Sequence, residues 1–222
     1  MKVHQQINLY IAIDTTGSMA GMRIASINNY IKTIKSILNV LPVRDIEVVL
    51  RVISFGDEIR WCLGTPEKGV HIHEIEWNDL ITGGARTPIG EVLQIIAESI
   101  TPNNTSPEDC IAIILITDGQ TTESTEYYKY SCKIIKNKLN CRIKRVAIGI
   151  DGASKNELSQ FASVGKTNNN EYVKLVLKVD NRDDLIYTLD QTIKILIANA
   201  PNKLTEELRF DDLHYVHIIT LN

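Results

Sequence analysis

Segments of strand length that are almost wholly apolar alternate along this chain with segments whose apolar residues recur every three or four positions. This alternation admits few architectures. "INLYIAI" (7–13) and "CIAIILI" (110–116) are continuous apolar runs, and "IEVVLRVISF" (46–55), "RIKRVAIGI" (142–150) and "EYVKLVLKV" (171–179) are β-branched runs of similar length. Between the first two strands, Ile24, Ile27, Ile31, Ile34, Leu38 and Leu41 keep the helix period over 22–41, and Pro42 stops it. A helix is expected after Pro88 with Ile89, Val92, Leu93, Ile96 and Ile100 inward, and further helices over 124–139, 154–164 and 183–199. Strands that read as unbroken apolar runs are those covered by helices on both sides, as in a parallel sheet. The pattern therefore predicts a doubly wound, mostly parallel α/β sheet with helices on both faces. "GDE" (56–58) reads as a hairpin turn into "IRWCLG", which supplies one antiparallel edge strand. Residues 65–86 and 101–109 read as loops.

The 222 residues suit one large domain with a short appendage. A net charge of −3 without blocks of like charge speaks against nucleic acid as the main partner. No stretch approaches the ~18 apolar residues that span a bilayer. "MKVHQQINLY" lacks the apolar segment of a secretion signal, so a cytoplasmic location without membrane attachment is expected. The cysteines at 62, 110, 132 and 141 form no CxxC pair and are expected as reduced thiols.

Three separated segments place oxygen-bearing side chains where a strand stops or a helix starts. "DTTGS" offers Asp14, Thr16 and Ser18 after the first strand; "TGGARTPIGE" sets Thr87 before a proline-started helix; "ILITDGQ" sets Asp118 after the most apolar strand. In a doubly wound sheet, ligands bind outside the carboxyl ends of the strands. Two carboxylates and three hydroxyls, with no His or Cys, suit Mg²⁺ or Mn²⁺ better than zinc. Two carboxylates only neutralise a divalent ion, and a small cation wants six ligands, so this set leaves a position for water or an outside oxygen. Helix capping is the plain alternative for Asp14 and Ser18, and for Thr87 with Pro88 behind it.

Asp-x-Thr-x-Ser after the first strand, a Thr before the next major helix and Thr-Asp-Gly after the central strand resemble a von Willebrand factor type A (vWA) domain, over about residues 5–200. Together the three parts resemble that family's metal-ion-dependent adhesion site (MIDAS), in a Rossmann-like fold. "GGARTPIGEVL" and "LITDGQ" are similar to small stand-alone bacterial vWA proteins of the tellurite-resistance Y type. The resemblance implies that Thr16 and Ser18 bind the metal through their hydroxyls. It implies that Asp14 and Asp118 act directly or through water, and Thr87 likewise according to state. The vacant position would take an Asp or Glu of a protein partner. Two positions depart from the family's pattern. Thr16 stands where Ser is more frequent, and Ala85 and Arg86 stand between the glycines and Thr87, where some relatives have Gly-Gly-Thr. Arg86 is expected either to meet an incoming carboxylate or to fold over the metal.

These readings lead to a non-enzymatic, metal-dependent protein-interaction module, with a bacterial stress-response or conflict system implied by the resemblance. The alternatives are a metal-dependent phosphatase-like hydrolase and a metal-free structural scaffold. Haloacid-dehalogenase-like phosphatases begin with Asp-x-Asp, and Thr16 cannot act as the general acid that their second aspartate supplies. "SVGKT" (163–167) resembles the end of a phosphate loop but has Gln160 where that loop needs glycine. "HIHE" (71–74) lacks further zinc ligands and reads as a solvated loop. Residues 1–200 are expected to form the domain. Residues 201–222 are an extension that serves as an extra strand or as a docking segment, because an unpaired apolar strand is a liability.

Overall fold

A computed structural model describes residues 5–39, 46–106, 108–138, 143–167, 172–199, 208–210 and 217–220. Its centre is β1 (Gln5–Asp14), which runs parallel to β2 (Ile46–Phe55) on one side and to β5 (Cys110–Thr117) on the other. The sheet continues in parallel through β6 (Lys144–Ile150) and β8 (Tyr172–Val179). All eight residues of β5 are buried, as its unbroken apolar run requires. Fully burying each of its isoleucines and leucines contributes about 1.5–3 kcal/mol.

Helices α1 (Met22–Asn39) and α5 (Arg182–Ala198) pack together, as do α2 (Ile89–Ser99) and α3 (Thr125–Asn137). Each pair covers one face of the sheet. The short α4 (Lys155–Phe161) lies against β6 and β8. Local chemistry fixes several starts: the Ser124, Ser154 and Asn181 side chains accept the amides of Tyr127, Glu157 and Asp184, capping α3, α4 and α5. Among the described residues, no helix is long and apolar enough to cross a membrane.

The predicted mostly parallel sheet is present, but with more antiparallel strands than the single edge strand expected. β3 (Arg60–Leu63) is that strand, antiparallel to β2. Residues 65–86, read as loop, also contain β4 (Val70–His71), antiparallel to β2, and a 3₁₀ turn at Ile72–Glu74. His71 Nδ1 lies 2.9 Å from Glu47 Oε1. The "SVGKT" run supplies β7 (Val164–Thr167), a hairpin partner of β8. Within the extension, β9 (Leu208–Phe210) pairs with β7 and β10 (His217–Thr220) with β8. These pieces are two to four residues long and carry no readable period.

One polar group holds the sheet's flank. Arg51 of β2 is buried, donates from Nη1 to Asn8 Oδ1 at 3.0 Å and from Nε to the Thr65 carbonyl at 3.2 Å, and stacks over the Tyr10 ring at 5.1 Å. Those bonds offset the cost of burying a charge and pin the turn after β3.

The chain passes from β1 through α1 to β2 on one side, while β5 lies on the other. The winding therefore reverses between β1 and β5. Such a switch point opens a crevice at the carboxyl ends of the strands. Asp14 closes β1 and Asp118 follows β5, so the crevice lies between them.

Candidate metal centre

β1 ends in a turn tied on both sides. The Thr15 amide and Oγ1 both donate to the Phe55 carbonyl at the end of β2, at 2.8 and 3.0 Å. The chain then makes a 3₁₀ turn at Gly17–Met19 and enters α1. Asp14 is fully buried. Its Oδ1 accepts the Thr16 amide at 2.9 Å and the Thr16 hydroxyl at 2.7 Å, and its Oδ2 accepts the Thr117 hydroxyl at 2.6 Å. Burial raises the Asp14 carboxyl above its ordinary pKa, the neighbouring Asp118 charge raises it further, and these hydrogen bonds oppose the rise.

A polar chain leads from Asp14 to the second carboxylate. Thr16 Oγ1 lies 3.1 Å from Ser18 Oγ, which donates to Asp118 Oδ1 at 2.8 Å. Thr16 and Asp118 are buried and Ser18 is exposed, so the chain runs from the interior to solvent. The structure thus joins four of the five expected residues directly. Thr87 stands across Gly119 from Asp14: a Cβ on Gly119 would lie 3.3 Å from Thr87 Oγ1 and 3.8 Å from Asp14 Oδ2. Glycine here keeps the space between them clear.

The capping alternative for Thr87 is not what the structure shows. Pro88 holds the N-cap position of α2 and supplies no side-chain cap. The Ile89 amide donates to the Thr87 carbonyl at 3.0 Å, and the next two amides of α2 are taken by a distant carboxylate. Glu123 Oε1 accepts Glu91 N at 2.9 Å, and Oε2 accepts Gly90 N together with the Thr121 hydroxyl. Thr87 is anchored by its backbone, its amide donating to Thr122 Oγ1 at 3.1 Å and its carbonyl accepting Thr122 N at 3.1 Å. Its hydroxyl therefore does not serve the helix.

Ala85 and Arg86 are accommodated by Asp57. Both amides donate to Asp57 Oδ1, at 3.1 and 3.2 Å. Gly84 has φ +79°, and a Cβ there would fall 2.2 Å from the Asp57 carboxyl carbon, so glycine is required. The Gly17 amide donates to the Gly84 carbonyl at 3.0 Å, and the Gly83 amide to the Thr15 carbonyl at 2.8 Å, which seats this loop on the turn after β1. The exposed side chain of Arg86 reaches Glu91 on α2 at 3.4 Å.

The cation that does reach the centre is Arg23, absent from the sequence reading. Its Nη1 donates to Asp118 Oδ2 and, at 3.1 Å, to the Ser18 carbonyl, while Nη2 lies 3.3 Å from Asp151 Oδ2. One signal pointed to it. A cation in the first turn of α1, where no acidic residue stands, opposes the helix dipole and calls for a nearby carboxylate.

The donor set fits a small hard cation. Oxygens about 2.1 Å from an octahedral ion are separated by about 3.0 Å along each edge. Thr16 Oγ1 to Ser18 Oγ, and Ser18 Oγ to Asp118 Oδ1, have that spacing at 3.1 and 2.8 Å. Among the described residues, no three His, Cys, Asp or Glu side chains gather in a way that could hold a metal, so the set depends on its hydroxyls.

Comparisons with known proteins agree with this architecture. A search of curated proteins finds no match. Among solved structures, proximal thread matrix protein 1 from the mussel byssus, described with a zinc-occupied MIDAS motif, is 19% identical. It aligns over 86% of this chain and 48% of its own, with a TM-score of 0.61. A von Willebrand factor type A protein from Catenulispora acidiphila is 15% identical over 87% of this chain and 43% of its own, TM-score 0.60. The ArnB paralog VWA2 from Sulfolobus acidocaldarius is 15% identical over 84% and 45%, TM-score 0.58. This chain spans less than half the length of each, and at these identities the likeness concerns the fold. Residues 8–186 match the von Willebrand factor type A domain, and the chain belongs to that family.

Proposed function

We propose that this chain is a non-enzymatic interaction module that binds an acidic residue of a protein partner through a divalent cation, Mg²⁺ or Mn²⁺. The observation that carries the reading is the chain Thr16–Ser18–Asp118, in which hydroxyl and carboxylate oxygens from two distant segments gather and end at an exposed serine. Thr16, Ser18 and Asp118 would hold the metal. Asp14, with both oxygens already accepting hydrogen bonds, would orient the Thr16 hydroxyl so that its lone pairs face the ion. Thr87 would complete the set directly or through water. Bound there, the ion would supply a Lewis-acidic position for an outside carboxylate. The zinc in the mussel protein supports a divalent ion at such a site, while the oxygen-only donors of this chain favour a harder one.

The residues around the centre are employed in holding it. Asp14, Asp57 and Glu123 each accept amides or hydroxyls, and Thr16 occupies the position where a phosphatase of the haloacid-dehalogenase type has its general acid. A scaffold role in a bacterial stress-response or conflict system extends the proposal, on the resemblance of its motifs to tellurite-resistance Y-type proteins.

The test is capture of partners by the immobilised chain, with and without EDTA, alongside Asp14→Ala. Capture is expected with Mg²⁺ only, and not by the variant. Equal capture in all arms would overturn the proposal.

A further inference from the structure

We propose that Arg23 is a built-in counter-cation that weakens the centre's hold on the metal and strengthens the metal's hold on the partner's carboxylate. The proposal rests on the metal-dependent reading above. Asp118 is divided between two tasks. Its Oδ1 accepts the Ser18 hydroxyl on the metal side, and its Oδ2 accepts Arg23. The Asp118 side chain is 1% exposed, so this pair is poorly screened by water, whereas the second partner of Arg23, Asp151, is 71% exposed and well screened.

Charge decides the consequence. Asp14 and Asp118 together carry two negative charges, which a divalent ion would neutralise completely. With Arg23 added, the three side chains carry one negative charge, and a bound divalent ion leaves the centre with one positive charge. A partner carboxylate then cancels it. Without Arg23 the same carboxylate would leave the centre negative. Arg23 thus repels the metal and attracts the ligand, so it lowers the centre's affinity for the first and raises the loaded centre's affinity for the second.

A merely structural Arg23, one that only positions Asp118, predicts the opposite sign for its removal, namely weaker metal binding. The experiment measures free Mn²⁺ by electron paramagnetic resonance for wild type, Arg23→Gln and Arg23→Lys, each first shown to melt cooperatively. It then titrates acetate into the Mn²⁺-loaded chains and follows water-proton relaxation as acetate replaces water. Arg23→Gln is expected to bind Mn²⁺ at least ~10-fold tighter and to need at least ~5-fold more acetate, with Arg23→Lys close to wild type because the charge is kept. Arg23→Gln that binds Mn²⁺ as wild type does, or more weakly, overturns this proposal while leaving the metal reading intact. No Mn²⁺ binding by any of the three chains at millimolar concentration overturns both.

Discussion

Buried side chains in this molecule have their chemistry set by what surrounds them, and the thiols show it as clearly as Asp14. Burial pushes the Cys132 thiol up to about 11, against the opposing effects of the Tyr128 hydrogen bond and the Arg145 charge, and burial raises Cys110 as well. Cys62, on edge strand β3, is only half-buried. Among the described cysteines, peptide-resolved alkylation by iodoacetamide at pH 8 should therefore modify Cys62 before Cys110 and Cys132, which it should reach only on unfolding. The sign of the pH effect follows. The folded value of Cys132 lies above the ordinary 9.0, so between 9 and about 11 the folded chain keeps a proton that the unfolded chain has released. That contribution is complete below pH 9 and disappears as pH rises through about 11. Urea midpoints measured from pH 9 to 11 should fall less steeply for Cys132→Ala than for wild type, and parallel slopes would contradict the assignment.

At the scale of elements, the hydrophobic period was enough to locate the long strands and helices, because each buries a face whose spacing is written locally. Ends were less legible. The helix read as 154–164 stops at Phe161, since Val164–Thr167 is taken by the hairpin with β8. The oxygen set Asp14, Thr16, Ser18, Thr87 and Asp118 could be read because each member sits in a short motif at an element's end. Its supports could not. Arg23 meets Asp118 across 95 positions, Glu123 meets Gly90 across 33 and Asp57 meets Ala85 across 28; the place of Arg23 in the first turn of α1 calls for a carboxylate, but nothing local says which residue any of the three will meet. Glu123 has a measurable consequence. It holds the second and third amides of α2 where a side-chain cap from the N-cap residue is missing, so Glu123→Ala should lower the stability to urea by about 1–2 kcal/mol with an unchanged m-value. Because Thr87 lies one residue before the Pro88 N-cap of that helix, the variant should also bind Mn²⁺ a few-fold more weakly. A variant as stable as wild type would show that Glu123 is not the cap.

For the whole molecule, the arrangement of the centre would make the proposed metal binding a reporter of the fold. Its oxygens come from the turn after β1, the approach to α2 and the turn after β5, segments that meet only because the winding reverses between β1 and β5. An unfolded chain has these residues about a hundred positions apart, and offers at most isolated carboxylates to an ion. Metal should therefore bind the native state alone and stabilise it by mass action, about 2.7 kcal/mol at a free concentration one hundred times the dissociation constant. For a domain of this length, each kcal/mol moves the melting temperature by about 2–4 °C, so saturating Mn²⁺ should raise it by about 5–10 °C. EDTA should return it to the starting value, and Asp14→Ala should melt at the same temperature with or without the ion. A rise in wild type that Asp14→Ala shares would place the ion elsewhere on the surface, and no rise at saturation would mean that the three segments do not close on a cation at all. Arg23 adds a second dimension to the same melt. If it holds back the metal, Arg23→Gln should reach a given rise at roughly a tenth of the Mn²⁺ that wild type needs, because the shift depends on the ratio of concentration to dissociation constant.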